Sequence, residues 1–247
     1  MKPTEFVIMQ HGEAECDVLG VVGGERGDTG LTREGRVQVS LRAAAMCEQD
    51  GERPYDFVFT GARPRQRQTA RIVGAVLDAR VVGDQALICQ RYAHDLDARP
   101  WSEVHGLLGG APSSRPELPV GRGAESWNAY VARLVKAFAR MSSRYPAARI
   151  VVVGDTGHVD ASLRLFASDP GDSGLGGGSG HQPAGLTCWR EQPPAGHSQA
   201  SGVRWSLIEH GAPLAAAGAP AAGLGPGGRT GSDTYPDAST PGGGRDE

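Results

Sequence analysis

Three short stretches of this chain carry side chains able to do chemistry near neutral pH. In Gln10-His11-Gly12-Glu13 the apolar run EFVIM leads into an amide, an imidazole and a carboxylate. In GARPRQRQTA, Arg63 and Arg65 present two guanidinium groups, and RIVVVGDTGHVD ends in Asp155 with His158 three residues on. Guanidinium forks bind oxyanions through charge-assisted hydrogen bonds. Imidazole titrates near neutrality, and a carboxylate beside it raises its pKa and fixes its tautomer, which is the arrangement of a general acid/base.

The elements that must position these groups follow from hydrophobic spacing. Glu5–Met9 predicts a short buried strand, and Thr32 is expected to cap a helix with Val37, Leu41, Ala45 and Met46 inside, stopping at Gly51. YDFVFT predicts a second strand, RQRQTARIVGAVLDA a helix burying Ala70, Ile72, Val73 and Val76, and VVGDQALIC a third strand. Residues 90–123, rich in Gly and Pro, read as a long loop. Ser126 is expected to cap an amphipathic helix with the stripe Trp127, Tyr130, Val131, Leu134, Phe138 and Met141, read as core. RIVVVG reads as a central parallel strand, DTGHVDASLRLFA as a helix starting at its end, and GLTCWRE with GVRWSLIEH as a late hairpin.

Alternation of strands and helices predicts an α/β class, a three-layer α/β/α sandwich with a mostly parallel central sheet. In such a sheet the site lies at the carboxyl ends of the strands, so the loops after Met9, Thr60 and Val153 converge there. Residues 1–210 are expected to form one domain. Residues 211–247, a Gly/Ala/Pro-rich stretch with almost no large apolar side chain, read as a disordered tail.

With a net charge of −3 and interspersed signs, no basic stripe exists to track nucleic acid, and no apolar run is long enough for a membrane helix. The first residues lack the pattern of a secretion signal, so a cytoplasmic location is expected. The four cysteines are far apart with no CxxC pair, which argues against a disulfide framework or a zinc knuckle. Neither metal nor cofactor is called for, the expected partner is a small-molecule substrate, and the oligomeric state is open.

The order of these features resembles the histidine phosphatase superfamily, with its phosphoglycerate-mutase-like fold. That family begins with Arg-His-Gly-Glu at a strand end, matched by Gln10-His11-Gly12-Glu13; Asp28, Leu31, Thr32 and Gly35 follow its Asp-x-x-Leu-Thr-x-x-Gly pattern. Arg65, Thr69 and Ala70 match its Arg-x-x-x-Thr-Ala turn, and Val152-Val153-Gly154-Asp155 stands where it has Val-Val-x-His. The resemblance implies phosphoryl transfer, in which the first histidine attacks phosphorus, two arginines and a second histidine hold the oxygens, and an acid protonates the leaving group.

Carried over residue by residue, His11 takes the nucleophile position and Arg65 one arginine position, while Gln10 replaces the other arginine. Asp155 falls at the second histidine, and Cys89, two residues after Leu87, at the acid; Ala14 and Asp17 replace a serine and an asparagine. Asp95 and Asp97 are candidates for the missing acid, His158 for the missing imidazole and Arg63 for the missing guanidinium; Glu13 bridges loops or meets substrate. Cys89 with His11 and Asp155 would complete a thiol, imidazole and carboxylate set.

Two unit charges about 4 Å apart interact by about 4 kcal/mol at an effective dielectric near 20, roughly a thousandfold in rate or affinity. Asp155 is thus expected to repel a phosphate dianion about as strongly as the lost arginine attracted one. The expected function is a divergent enzyme acting on a small metabolite by acid/base chemistry of His11 and Asp155, with weak phosphomonoesterase activity, in specialised biosynthesis. The alternatives are an active phosphatase or phosphomutase working through a phosphohistidine at His11, and a non-catalytic binding or regulatory protein.

Overall fold

The computed structural model describes residues 2–49, 53–167, 182–192 and 204–212. A six-stranded sheet is built from β1 (Glu5–Gln10), β2 (Phe57–Thr60), β3 (Arg80–Gly83), β4 (Arg149–Gly154), β5 (Leu186–Gln192) and β6 (Arg204–Ala212), in the spatial order β3-β2-β4-β1-β5-β6. The first four are parallel, and β5 and β6 add antiparallel at one edge. β4 is buried along its whole length, as a central parallel strand must be when helices cover both faces.

Those helices are α2 (Arg33–Gln49) and α3 (Pro64–Leu77) on one side, α5 (Trp127–Arg144) and α6 (Thr156–Phe166) on the other; α1 (Glu15–Val18) and α4 (Trp101–Leu108) are short. Strand alternation divides the core: Val7, Met9, Val58, Val151 and Val153 pack with Val39, Ala43, Met46, Ala70 and Val73, while Phe6, Ile8, Phe59, Ile150 and Val152 pack with Tyr130, Leu134, Phe138 and Phe166. Ser126 caps α5 by accepting from the Ala129 amide at 3.2 Å, and Pro64 opens α3 where its missing N–H costs nothing.

Several sequence expectations shift. α2 buries Val39, Ala43 and Met46 together with the Arg42 side chain, and leaves Val37 and Leu41 exposed. Both sets fit a helical period, and the choice is made by Val39, which packs so closely on Gly12 that a Cβ there would lie 2.7 Å from it. On α3, Val76 is exposed while Val73 and Leu77 face the core. β3 ends at Gly83, and the chain to Cys89 passes through a single 3₁₀ turn at Gln85–Leu87. Within the expected loop, α4 forms around one buried side chain, Val104, and stops at Gly109 in the left-handed conformation, too short to show a period. β6 runs just past residue 210; the glycine-rich loop and the rest of the expected tail lie outside the described residues.

Candidate active site

His11 follows β1 directly, its amide donating to the Gly154 carbonyl at 3.0 Å, so the ends of β1 and β4 are tied at the site. The side chain is almost wholly buried, and Nδ1 lies 2.9 Å from the Gly12 carbonyl. A carbonyl only accepts, so Nδ1 carries the proton and Nε2 has the free lone pair. That lone pair receives Arg65 Nε–H at 3.1 Å. Burial first, then the Arg65 charge, lowers the His11 pKa below the ordinary 6.5, against the opposing pull of Asp17, the Gly12 carbonyl and Asp155. Asp155 raises the imidazole pKa as expected, but it is the smallest of these influences and the net shift is downward; the expectation that it sets the tautomer is corrected, since the Gly12 carbonyl does so.

Arg65 has its Nε and Nη1 donors committed within the protein. Nη1 donates to Asp28 Oδ2 at 2.7 Å and to the Gly23 carbonyl at 3.0 Å, with Asp28 itself buried and receiving the Gly30 amide. The Asp28 of the expected motif therefore neutralises the arginine beside the imidazole, a role its spacing alone does not disclose.

Asp155 caps α6, accepting the Gly157 amide at 3.0 Å, and its Oδ1 also receives the Tyr130 hydroxyl at 2.5 Å. His158 is completely buried: Nε2 lies 2.9 Å from the Leu87 carbonyl, and Nδ1 lies 3.1 Å from both the Asp155 amide and Asp155 Oδ1. In this position it holds Asp155 at the head of α6. Gly154 and Gly157 make this possible, since a Cβ at either would sit 2.1 Å from the His158 or Tyr130 ring.

Burial would push the Asp155 carboxyl up, yet the hydrogen bond and charge of His158, the Tyr130 hydrogen bond and the Arg65 charge hold it well below the usual carboxylate range. Asp155 is ionised at any working pH. Cys89, fully buried and hydrogen-bonded to Asp155, has its thiol pushed well up, by burial first and the Asp155 charge second. It is a neutral thiol, so the anticipated thiol, imidazole and carboxylate set supplies no thiolate.

The other expected residues divide clearly. Glu13 bridges to the start of α2, its Oε1 accepting the Thr32 hydroxyl at 2.7 Å while Thr32 caps α2 by accepting the Gly35 amide at 2.8 Å. Asp97 is a clamp, accepting the amides of Gly24, Arg26 and Gly27 at 2.9, 2.7 and 3.0 Å; against the effect of burial, these bonds lower its pKa and keep it ionised. It has no proton to give, and Asp95 lies exposed on the surface. Gln10 and Arg63 both flank the end of β4, Gln10 in register with Gly154 and Arg63 three residues past Thr60, which pairs with Val153. Tyr130 was legible only as core, although a phenol in an apolar stripe signals that its hydroxyl needs a buried partner. Among the described residues no three His, Cys, Asp or Glu side chains are grouped to hold a metal, and no helix is long and apolar enough to cross a membrane.

The comparisons with known proteins agree with this architecture. Mycobacterial hydrolase 1 superposes with a TM-score of 0.66 at 20% identity, over 85% of this chain and 99% of its own. A mycobacterial glucosyl-3-phosphoglycerate phosphatase in complex with VO3 gives 0.65 at 20% identity, over 85% and 99%. A phosphoserine phosphatase from Entamoeba histolytica in complex with 3-phosphoglyceric acid gives 0.62 at 16%, over 85% and 98%. At such identities the likeness speaks for the fold. No curated protein matches the chain significantly. The model of the histidine phosphatase superfamily, branch 1, matches residues 6–177, most of the chain, and this protein belongs to that superfamily.

Proposed function

We propose that this protein is a small-molecule enzyme of the superfamily in which neutral His11 acts through Nε2, on a substrate carrying less negative charge than a phosphate monoester. The observation that carries this reading is the carboxyl group of Asp155, held by the Tyr130 hydroxyl and the Gly157 amide beside an arginine already paired with Asp28. A pocket for a dianion needs surplus positive charge, and here the charge of Arg65 is spent within the protein.

In this reading a substrate oxygen displaces Arg65 Nε from His11 Nε2, and the freed lone pair takes a proton from the substrate. The imidazolium that forms keeps its Nδ1–H on the Gly12 carbonyl and gains the fields of Asp17, 3.9 Å from Nδ1, and of Asp155. Asp155 thus serves the acid/base cycle as a charge partner rather than as a hydrogen-bonded base. A second reading, nucleophilic attack by the same nitrogen on phosphorus, is favoured by the free Nε2 lone pair and by Arg65 3.1 Å away.

A substrate panel separates the two. Phosphomonoesters, phosphodiesters and carboxylate-bearing alcohols are offered to the wild type, with product formation followed across pH. The expected result is turnover confined to singly charged compounds, with kcat/KM level through neutrality and falling on the acid side as His11 gains its proton, at a pH below 6.5 because its pKa is lowered. Hydrolysis of any monoester at about 1 per second or faster, the ordinary enzymatic range, selects the second reading.

A further inference from the structure

Gln10 Oε1 and Arg63 Nε are both fully enclosed, and among the described residues neither has a hydrogen-bond partner. Arg63 is 8% exposed, and no described residue forms an ion pair with its guanidinium. A buried guanidinium whose enclosed Nε has no partner is costly, and a protein carries one where a ligand completes it. Its neighbour Arg65, two residues on, is in the opposite condition, with Asp28, Gly23 and His11 using its donors.

The placement of Arg63 points to the same strand ends. It follows β2, Gln10 closes β1, and β4 with Asp155 runs between those two strands. The half-buried Tyr92, edge-on to Trp101, has its phenol within electrostatic reach of Asp155, Arg65, Cys89 and Arg63 together. Arg63 therefore shares the pocket with the groups around His11, from a position that the family's motif does not reserve for an arginine.

We infer that Arg63 is the anion anchor of this active site, seating a single negatively charged oxyanion group of the substrate, while Gln10 Oε1 accepts a hydrogen bond from a hydroxyl or amine beside it. The inference rests on the reading of the His11 pocket as catalytic and names the substrate class: a singly anionic compound with an adjacent donor. One charge is welcomed at Arg63, and a second meets Asp155.

The test uses acetate, methanesulfonate and sulfate as probes, titrated calorimetrically into the full-length wild type and into Arg63→Leu at neutral pH. The wild type is expected to bind acetate or methanesulfonate, the planar and tetrahedral forms of one charge, more tightly than sulfate. Losing a charge-assisted contact weakens that binding by about tenfold to a hundredfold in Arg63→Leu. The free variant is expected to melt at the wild-type temperature or above, because an unpaired buried charge has been removed.

Equal binding by Arg63→Leu and wild type overturns the anchor, as does a wild type that binds neither singly charged probe. Should the leucine variant fail to fold, Arg63→Gln, which keeps polarity without charge, carries the same comparison. Anion binding is expected to survive His11→Ala, so failure of the anchor and failure of the catalytic reading are seen in different variants.

Discussion

Gln10→Arg combined with Asp155→His is expected to raise kcat/KM for phosphate monoesters by about 10²- to 10³-fold over the wild type. Each change shifts the local charge, and one interaction of about 4 kcal/mol at about 4 Å and an effective dielectric near 20 sets the upper end, because changes at neighbouring sites in one pocket do not add. The lower end allows for screening and for Cys89, whose neutral thiol is a poor substitute for a carboxylic acid at the leaving group. The cost falls on stability: α6 loses the cap that Asp155 makes with the Gly157 amide, about 1 kcal/mol. Steady-state phosphate release with the two single variants and the double variant reads the effect directly. If neither single change helps and the double variant matches wild type, charge is not what separates this pocket from its relatives.

His11→Ala is expected to reduce turnover of whichever compound the wild type converts by about 10³-fold or more, the scale on which a positioned base or nucleophile contributes. His11→Asn is the sharper variant, since its side chain is nearer the ring in size and leaves a smaller void beside Arg65, while it lacks a basic nitrogen. Unchanged conversion by both variants removes His11 from the chemistry and favours the binding-protein alternative. A related effect has a defined sign. The Asp155 charge raises the His11 pKa, so Asp155→Asn is expected to lower it further and to move the acid limb of the rate profile to lower pH.

Much of the fold was legible because its signals are local. The apolar runs at β1 and β4 and the α5 stripe each need only a few neighbouring residues to declare themselves; Tyr130, Val131, Leu134, Phe138 and Met141 are buried as expected, while Trp127 at the start of the stripe is half-buried. The face of α2 was not legible: Val37 and Leu41 satisfy the helical period as well as Val39, Ala43 and Met46, and only the close approach to Gly12 decides between them.

Within the site, strand ends bring His11, Arg65 and Asp155 together as the topology requires. What the sequence conceals are pairings across long separations. Asp28 neutralises Arg65 from a different loop, Asp97 binds three amides some seventy residues away, and Tyr130 reaches Asp155 from a helix read as core. The protonation of His11 was concealed for a different reason. The Gly12 carbonyl that sets it belongs to the next residue, and every residue has such a carbonyl, so only the backbone path shows where it points.

The account stands or falls on whether phosphorus ever becomes bonded to His11 Nε2 during turnover. Acid- and base-quenched reactions of the wild type with monoesters labelled by radioactive phosphorus, followed by peptide mapping, answer this. The expected result is no base-stable label on the peptide containing His11; label there at a level approaching one per chain contradicts the charge argument built on Asp155.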